Sequence, residues 1–338
     1  MIEAPQCDAL QIAGLGTPAA WYREMIDTQA SGYAAAGLTL ASVFPNADEN
    51  NVDALLPMIE ESGCRVVINR ALCVAPSDIA ALAALKPDVQ FVIVNHSSPT
   101  YLWAETNGAC RQEMYLALSL AMANVHYATP HEGAAEVLLG CLWWPNWVAE
   151  QSPITPRQSP IDRPWRICLI SNLRVLKALG VQIMGVAHAL EQGLDAQLIL
   201  CLTKPERPDL VGQVQATINS LPALAGRVGQ APWGGRAQYL ELLAQMDIGL
   251  QCSPSESENL VALEHMLTGA PVVCSRALRY APLECLPRNA DCPVSISYCL
   301  QDLTVDYQRH SATVLTAARD YTERTREQFV AVLNEVTR

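Results

Sequence analysis

The fold is decided by Asp247 to Ser275, DIGLQCSPSESENLVALEHMLTGAPVVCS. The apolar run Asp247–Cys252 reads as a buried strand, and Ser253–Asn259 is a polar loop. A helix is expected from about Leu260 to Leu267. Gly269 can end it, and Pro271–Cys274 starts another apolar strand. That is a βαβ unit with two carboxylates, Glu256 and Glu264, bracketing the turn from loop to helix. In a parallel α/β sheet such a turn lies at the carboxyl end of a strand, where ligands bind. Backbone N–H groups in the first helical turn suit a phosphate.

The same alternation runs along the chain. Asp8–Ala13 reads as a first strand, and Gly14-Leu15-Gly16-Thr17-Pro18 as a turn into a helix from Ala19 to about Ala35. Strand-like Leu38–Phe44, helix-like Asn51–Ser62, strand-like Arg65–Asn69 and helix-like Pro76–Leu85 follow. Val89–Val94 is a buried strand ending in Asn95-His96. Gln112–Ala123 reads as a helix and Asn124–Ala128 as a strand. Short apolar strands alternating with helices specify a parallel sheet covered on both faces. Five prolines between Pro145 and Pro164 mark a linker. Beyond it come strands at Arg166–Ile170, Ala196–Leu202 and Ala225–Gly229, with helices at Val175–Gln192, Leu210–Ser220 and Arg236–Gln245. Pro293–Ile296 is expected as a last strand and Asp306–Arg338 as mainly helical.

With 338 residues, the chain is long enough for two domains of ordinary size. Half its residues are hydrophobic and 17% are charged, which excludes a disordered chain. No run of 18 apolar residues is present, so no transmembrane helix is expected. MIEAPQCDAL lacks the pattern of a secretory signal. The twelve cysteines lie scattered without C-x-x-C pairs or histidines at zinc spacing. Reduced thiols and a cytoplasmic location are the expectation. A net charge of −12 argues against a broad basic surface for nucleic acid or anionic lipid. No D-x-D and no P-loop motif occurs.

The opening stretch resembles the donor-binding motif of GT-B glycosyltransferases of the retaining, GT4-like group, P-S…E-G-F-G-L-V-x-L-E-A-M-A-x-G-x-P-V-V. Pro254, Ser255, Glu256, Leu260, Val261, Leu263, Glu264, Met266, Gly269, Pro271, Val272 and Val273 fall in register, with seven residues between the glutamates. Ser257, Glu258 and Asn259 replace Gly-Phe-Gly, and His265 replaces Ala. The resemblance implies an α/β chain of GT-B fold, two Rossmann-like domains facing a cleft. Residues 1–150 would form the acceptor-side domain, 151–164 the linker and 165–305 the nucleotide-sugar domain. Residues 306–338 would pack back on the first domain.

It also implies site roles. Glu264 would accept hydrogen bonds from ribose hydroxyls, and Glu256, or its neighbour Glu258, would hold the donor sugar. Ser257, Asn259, Leu260 and Val261 line the same loop and helix start. Ser171-Asn172-Leu173-Arg174-Val175-Leu176-Lys177 resembles G-R-L-x-x-x-K-G. Lys177 falls on the family lysine that neutralises the diphosphate. Asn172 stands at the arginine, Ser171 and Ala178 at glycines, and Arg174 is a substitute for the missing cation. Gly14 and Gly16 would approach the donor phosphates, although such glycines also serve simply as turn-formers. Trp233 would stack on a base or pack in the core. His96, at a strand end, would contact the sugar or position the acceptor; His126 and His131 are alternatives. Each carboxylate and cation has a plainer reading as a solvated charge near a helix start.

The implied activity is transfer of a glycosyl group (a hexosyltransferase-type reaction, EC 2.4) from a UDP- or GDP-sugar to an acceptor hydroxyl, retaining and metal-independent, with no cofactor. The cleft would close about the linker. Acceptor and oligomeric state stay open. The alternatives are a catalytically weakened sugar-nucleotide-binding or scaffold protein, a nucleotide-sugar epimerase, and a glycosyltransferase of modified DNA bases.

Overall fold

Two parallel sheets carry the chain. The computed structural model describes residues 6–13, 29–45, 50–70, 72–96, 108–148, 155–160, 162–173, 175–202, 208–232, 234–254, 256 and 258–337. Contacts divide the chain into two units, Met1–Ala149 with Thr322–Arg338, and Glu150–Tyr321.

In the first unit the strands are β1 (Ala9–Ala13), β2 (Leu40–Val43), β3 (Val66–Arg70), β4 (Gln90–Val94), β5 (Val125–Thr129) and β6 (Cys141–Trp143), in the order β2-β1-β3-β4-β5-β6. All pairs are parallel. Successive side chains of a strand point to opposite faces, and the core divides accordingly. Leu10, Ile12, Val67, Phe91, Ile93, Val125 and Tyr127 pack on one face with residues of the helices Val52–Ser62, Pro76–Leu85 and Gly108–Ala121. Ala9, Val66, Ile68, Val92, Val94 and Ala128 pack on the other with Phe329, Val332, Leu333 and Val336. Burial on both faces is why these strands read as unbroken apolar runs.

Phe329 and its neighbours lie on the helix Tyr307–Val336, whose residues up to Tyr321 belong to the second unit and the rest to the first. Phe329 meets Tyr33, Trp144 and Trp147 edge-on, with ring centroids 5.3, 5.7 and 5.7 Å away.

The second unit holds β7 (Trp165–Ser171), β8 (Ala196–Leu202), β9 (Val228–Gln230), β10 (Ile248–Gln251) and β11 (Val272–Cys274), in the order β11-β10-β7-β8-β9, again all parallel. The chain winds outward from β7 through β8 to β9, then crosses back to lay β10 on the other side of β7. The topological switch therefore falls between β7 and β10, as it falls between β1 and β3 in the first unit. At such a switch the loops diverge and leave room for a ligand.

The expected last strand at Pro293–Ile296 is instead the start of a helix, Pro293–Val305. Proline at the first helical position is pre-set for helix and lacks only an N–H that would go unused. The Pro-rich segment also makes contacts of its own. Arg157 donates to the carbonyls of Thr268 (2.7 Å), Leu243 (3.2 Å) and Met246, at the carboxyl ends of the helices Arg236–Gln245 and Leu260–Leu267. A cation suits the unpaired carbonyls of a helix end.

Among the described residues, no helix is long and apolar enough to cross a membrane, and no group of three or more His, Cys, Asp or Glu is placed to hold a metal.

Candidate functional site

Two loops leave the carboxyl ends of β7 and β10 side by side. After β7, Asn172 and Leu173 lead to a short 3-10 turn, Val175–Lys177, and the helix Leu179–Glu191. After β10, the chain runs through Cys252, Ser253 and Pro254 to the helix Leu260–Leu267. Gln182 ties the loops together: its amide donates to the Lys177 carbonyl (2.7 Å) and accepts from the Cys252 N–H (2.8 Å). The Ser253 hydroxyl adds a bond to the Leu176 carbonyl (2.9 Å). Gln251 reaches from β10 to the Ile170 carbonyl of β7 (2.8 Å) and accepts from the Asn259 amide (3.2 Å).

The three glutamates of this loop and helix are buried: Glu256, Glu258 and Glu264 are 7%, 3% and 6% exposed. That excludes their reading as solvated charges at a helix start. Burying a carboxylate is costly unless it is paired, and each has a partner. Glu256 Oε1 lies 2.5 Å from Lys177 Nζ. Glu258 accepts from the Tyr321 hydroxyl at 3.0 Å. Glu264 holds Arg236 with one oxygen and accepts from the Tyr239 hydroxyl (2.6 Å) with the other. Burial and the adjacent Glu264 charge push the Tyr239 phenol well above its ordinary pKa, so it stays a donor. Glu264 stands on the second turn of its helix rather than at the start. The helix begins only at Leu260, because Asn259 caps it.

Two replacements in the motifs acquire a physical meaning here. Asn259 stands where the resembled motif has glycine, and its φ is +48°. Asparagine is among the few residues that tolerate this left-handed backbone. Its side chain also accepts from the Ala262 N–H at 3.0 Å, which caps the helix. Ala178, at the glycine following the lysine, is held at φ +47°. Alanine gains no such compensation and is strained there. Both positions thus hold a left-handed backbone of the kind glycine adopts most readily. Ser171, the last residue of β7, is buried and directs its hydroxyl to the Asn172 carbonyl (3.0 Å).

The first unit places His96 two residues past β4, half-buried at the carboxyl edge of its sheet. The histidines offered as alternatives do other work. His126 is the second residue of β5, near its amino end, where it bonds Gln90 (2.9 Å) at the start of β4. It therefore lies at the wrong edge for a strand-end site. His131 caps the helix Glu132–Val137 through Nδ1, which accepts from the Ala134 N–H (2.9 Å).

Gly14, Gly16, Arg174, Trp233 and Ser257 lie outside the described residues. Sequence reasoning missed Arg236, Tyr239, Gln182 and Tyr321 because they lie outside the motifs. One signal was available for the first two: Arg-x-x-Tyr at the start of a helix puts both on one face, toward whatever the preceding strand end binds.

No protein-family model matches the chain, and no curated protein matches it. Solved structures do. A structure described as trehalose-6-phosphate from E. coli bound with UDP-2-fluoro glucose has a TM-score of 0.72 at 11% identity, over 98% of this chain and 99% of that one. A glycosyltransferase from Rickettsia africae gives 0.70 at 12%, covering 98% of each. Alr3699/HepE of Anabaena in complex with UDP-glucose gives 0.68 at 15%, covering 98% of each. With two Rossmann-like parallel-sheet units and these neighbours over nearly its whole length, the chain has the GT-B fold of the glycosyltransferases it resembles.

Proposed function

We propose that the chain is a glycosyltransferase that takes its sugar from a UDP-sugar and passes it to an acceptor hydroxyl. The observation that carries this is the convergence of Lys177, Glu256, Glu264 and Arg236, all buried or half-buried, around the switch point between β7 and β10. Neighbours of the same fold are described with UDP-glucose and UDP-2-fluoro glucose bound. In this reading the second unit holds the donor and the first takes the acceptor.

Glu264 has two oxygens and about four lone-pair sites. Arg236 and Tyr239 use one on each oxygen, which leaves one on each for the paired hydroxyls of a ribose. Lys177 is the cation for the diphosphate. In the structure it lies against Glu256; a bound diphosphate, with more charge than a carboxylate, competes for the ammonium and frees Glu256 to accept from sugar hydroxyls. Lys177 then stabilises charge building on the phosphate as the bond from the anomeric carbon to the phosphate oxygen breaks. That electron pair leaves with UDP. The acceptor oxygen bonds the anomeric carbon, and its proton passes to the departing phosphate oxygen. Such a path retains configuration and needs no metal.

The test is UDP release from UDP-glucose, with and without a panel of hydroxyl acceptors and with GDP-glucose in parallel. Acceptor-dependent UDP release supports transfer. Tight binding without turnover would replace it by a sugar-nucleotide-binding role, and a new nucleotide sugar formed without acceptor would indicate an epimerase.

A further inference from the structure

At the switch point of the first unit, Arg70 ends β3, level with Ala13 of β1 and Val94 of β4. It is 1% exposed. Its guanidinium reaches three elements: Nε donates to His96 Nε2 (2.9 Å), one terminal nitrogen to Gln11 Oε1 of β1 (3.2 Å), and the other to Asn146 Oδ1 beyond β6 (2.9 Å). A guanidinium offers donors only and keeps its protons in a protein. The atoms facing it must therefore supply lone pairs, which fixes both amides with their oxygens toward Arg70 and fixes the imidazole too.

A protonated imidazole has no lone pair, and a neutral one has it on a single nitrogen. With Nε2 accepting from Arg70, the ring proton sits on Nδ1. We propose that Arg70 is a positioning residue that locks His96 as the neutral Nδ1–H tautomer, so that His96 meets its ligand as a hydrogen-bond donor. Protonating the ring would break the bond to Arg70 and set two cations side by side. Burial and the Arg70 charge accordingly hold the His96 pKa well below its ordinary value. Among the described residues Arg70 is the charged group acting on the ring. Gln11 and Asn146 are neutral, and Tyr33, whose buried phenol also feels Arg70, is pushed up and stays neutral. No described residue bonds Nδ1.

The lock stands by itself; that Nδ1–H donates to the oxygen of an acceptor hydroxyl rests on the transferase reading. On that reading His96 orients the hydroxyl and does not take its proton.

The experiment is two-bond 1H–15N ring correlation NMR of the full chain, labelled at histidine, from pH 5 to 8. The signal missing in His96→Asn assigns the residue. The expected result is an Nδ1–H pattern that does not titrate. An Nε2–H pattern, or a titration within this range, would overturn the proposal. In Arg70→Gln, the ring should lose its single tautomer and its pKa should rise, while burial, the larger cause, still holds it below the ordinary value. If that variant does not fold, Arg70→Lys, which moves the donor off the Nε position, should give mixed tautomers. A ring still fixed as Nδ1–H in whichever variant folds would remove Arg70 from the role. The measurement uses no nucleotide, so a chain that fails to turn over UDP-glucose overturns the transferase reading and leaves the tautomer result standing.

Discussion

Replacing Glu264 by glutamine is the sharpest test of the proposed donor site, because the structure fixes what changes. The carboxylate is almost wholly buried, with one oxygen committed to Arg236 and the other to Tyr239. Glutamine keeps the shape and one acceptor oxygen and turns the other into a donor. In the proposed complex, one ribose hydroxyl then loses its partner, and the other exchanges a charged acceptor for a neutral one. A hydrogen bond to a charged group contributes about 1.5–3 kcal/mol and a neutral one about 0.5–1.5 kcal/mol. The combined loss is about 2.5–4.5 kcal/mol, or roughly 60- to 1600-fold in Kd. Isothermal titration of UDP-glucose into wild type and Glu264→Gln measures it. Ligand-free unfolding run in parallel separates this loss from the weaker hold on Arg236 and Tyr239, which costs about 1–3 kcal/mol of stability. A Kd within threefold of wild type, in a variant that stays folded, would refute the ribose-facing role of Glu264.

Lys177→Ala should lower kcat for transfer by about 100- to 1000-fold, the usual loss when one group stabilising transition-state charge is removed; a fall under threefold in steady-state rates would take Lys177 off the phosphate. Ala178→Gly should raise stability by about 1 kcal/mol, since φ +47° costs glycine little, and an unchanged denaturation midpoint would show the strain to be absent. Phe329→Ala empties a fully buried site among three aromatic rings and should cost about 3–5 kcal/mol by chemical denaturation; less than 1 kcal/mol would contradict the packing described. His265 is fully buried, neither ring nitrogen has a partner among the described residues, and burial pulls its pKa to about 3. The folded pKa is depressed, so the unfolded chain binds the proton first: this stability is present above about pH 6.5 and is lost as pH falls toward about 3. Between pH 6 and 4, wild type should lose about 1.4 kcal/mol per pH unit more than His265→Leu; parallel curves would place the ring in water.

Much of the fold was legible because burial on both faces of a parallel sheet writes itself as unbroken apolar runs, and the proposed donor motif stood out because it is local. Glu256, Glu264 and Lys177, the residues proposed to hold the donor, each lie within one loop-to-helix turn. Even the exchange of glycine for Asn259 could be read once it was asked which residues tolerate a left-handed backbone. The start of the helix at Pro293 was misread because a short apolar run does not distinguish strand from helix.

What the sequence determined is the succession of strands and turns and the residue types at the strand ends. Each of these depends on neighbours a few residues away. The tertiary structure alone decided the partners: Lys177 with Glu256, Arg236 and Tyr239 with Glu264, and Arg70 with Gln11, His96 and Asn146. These pairs join residues 25 to 79 positions apart. They form because a buried charge or polar group must find a partner across the sheet, and strand order sets which partners are within reach.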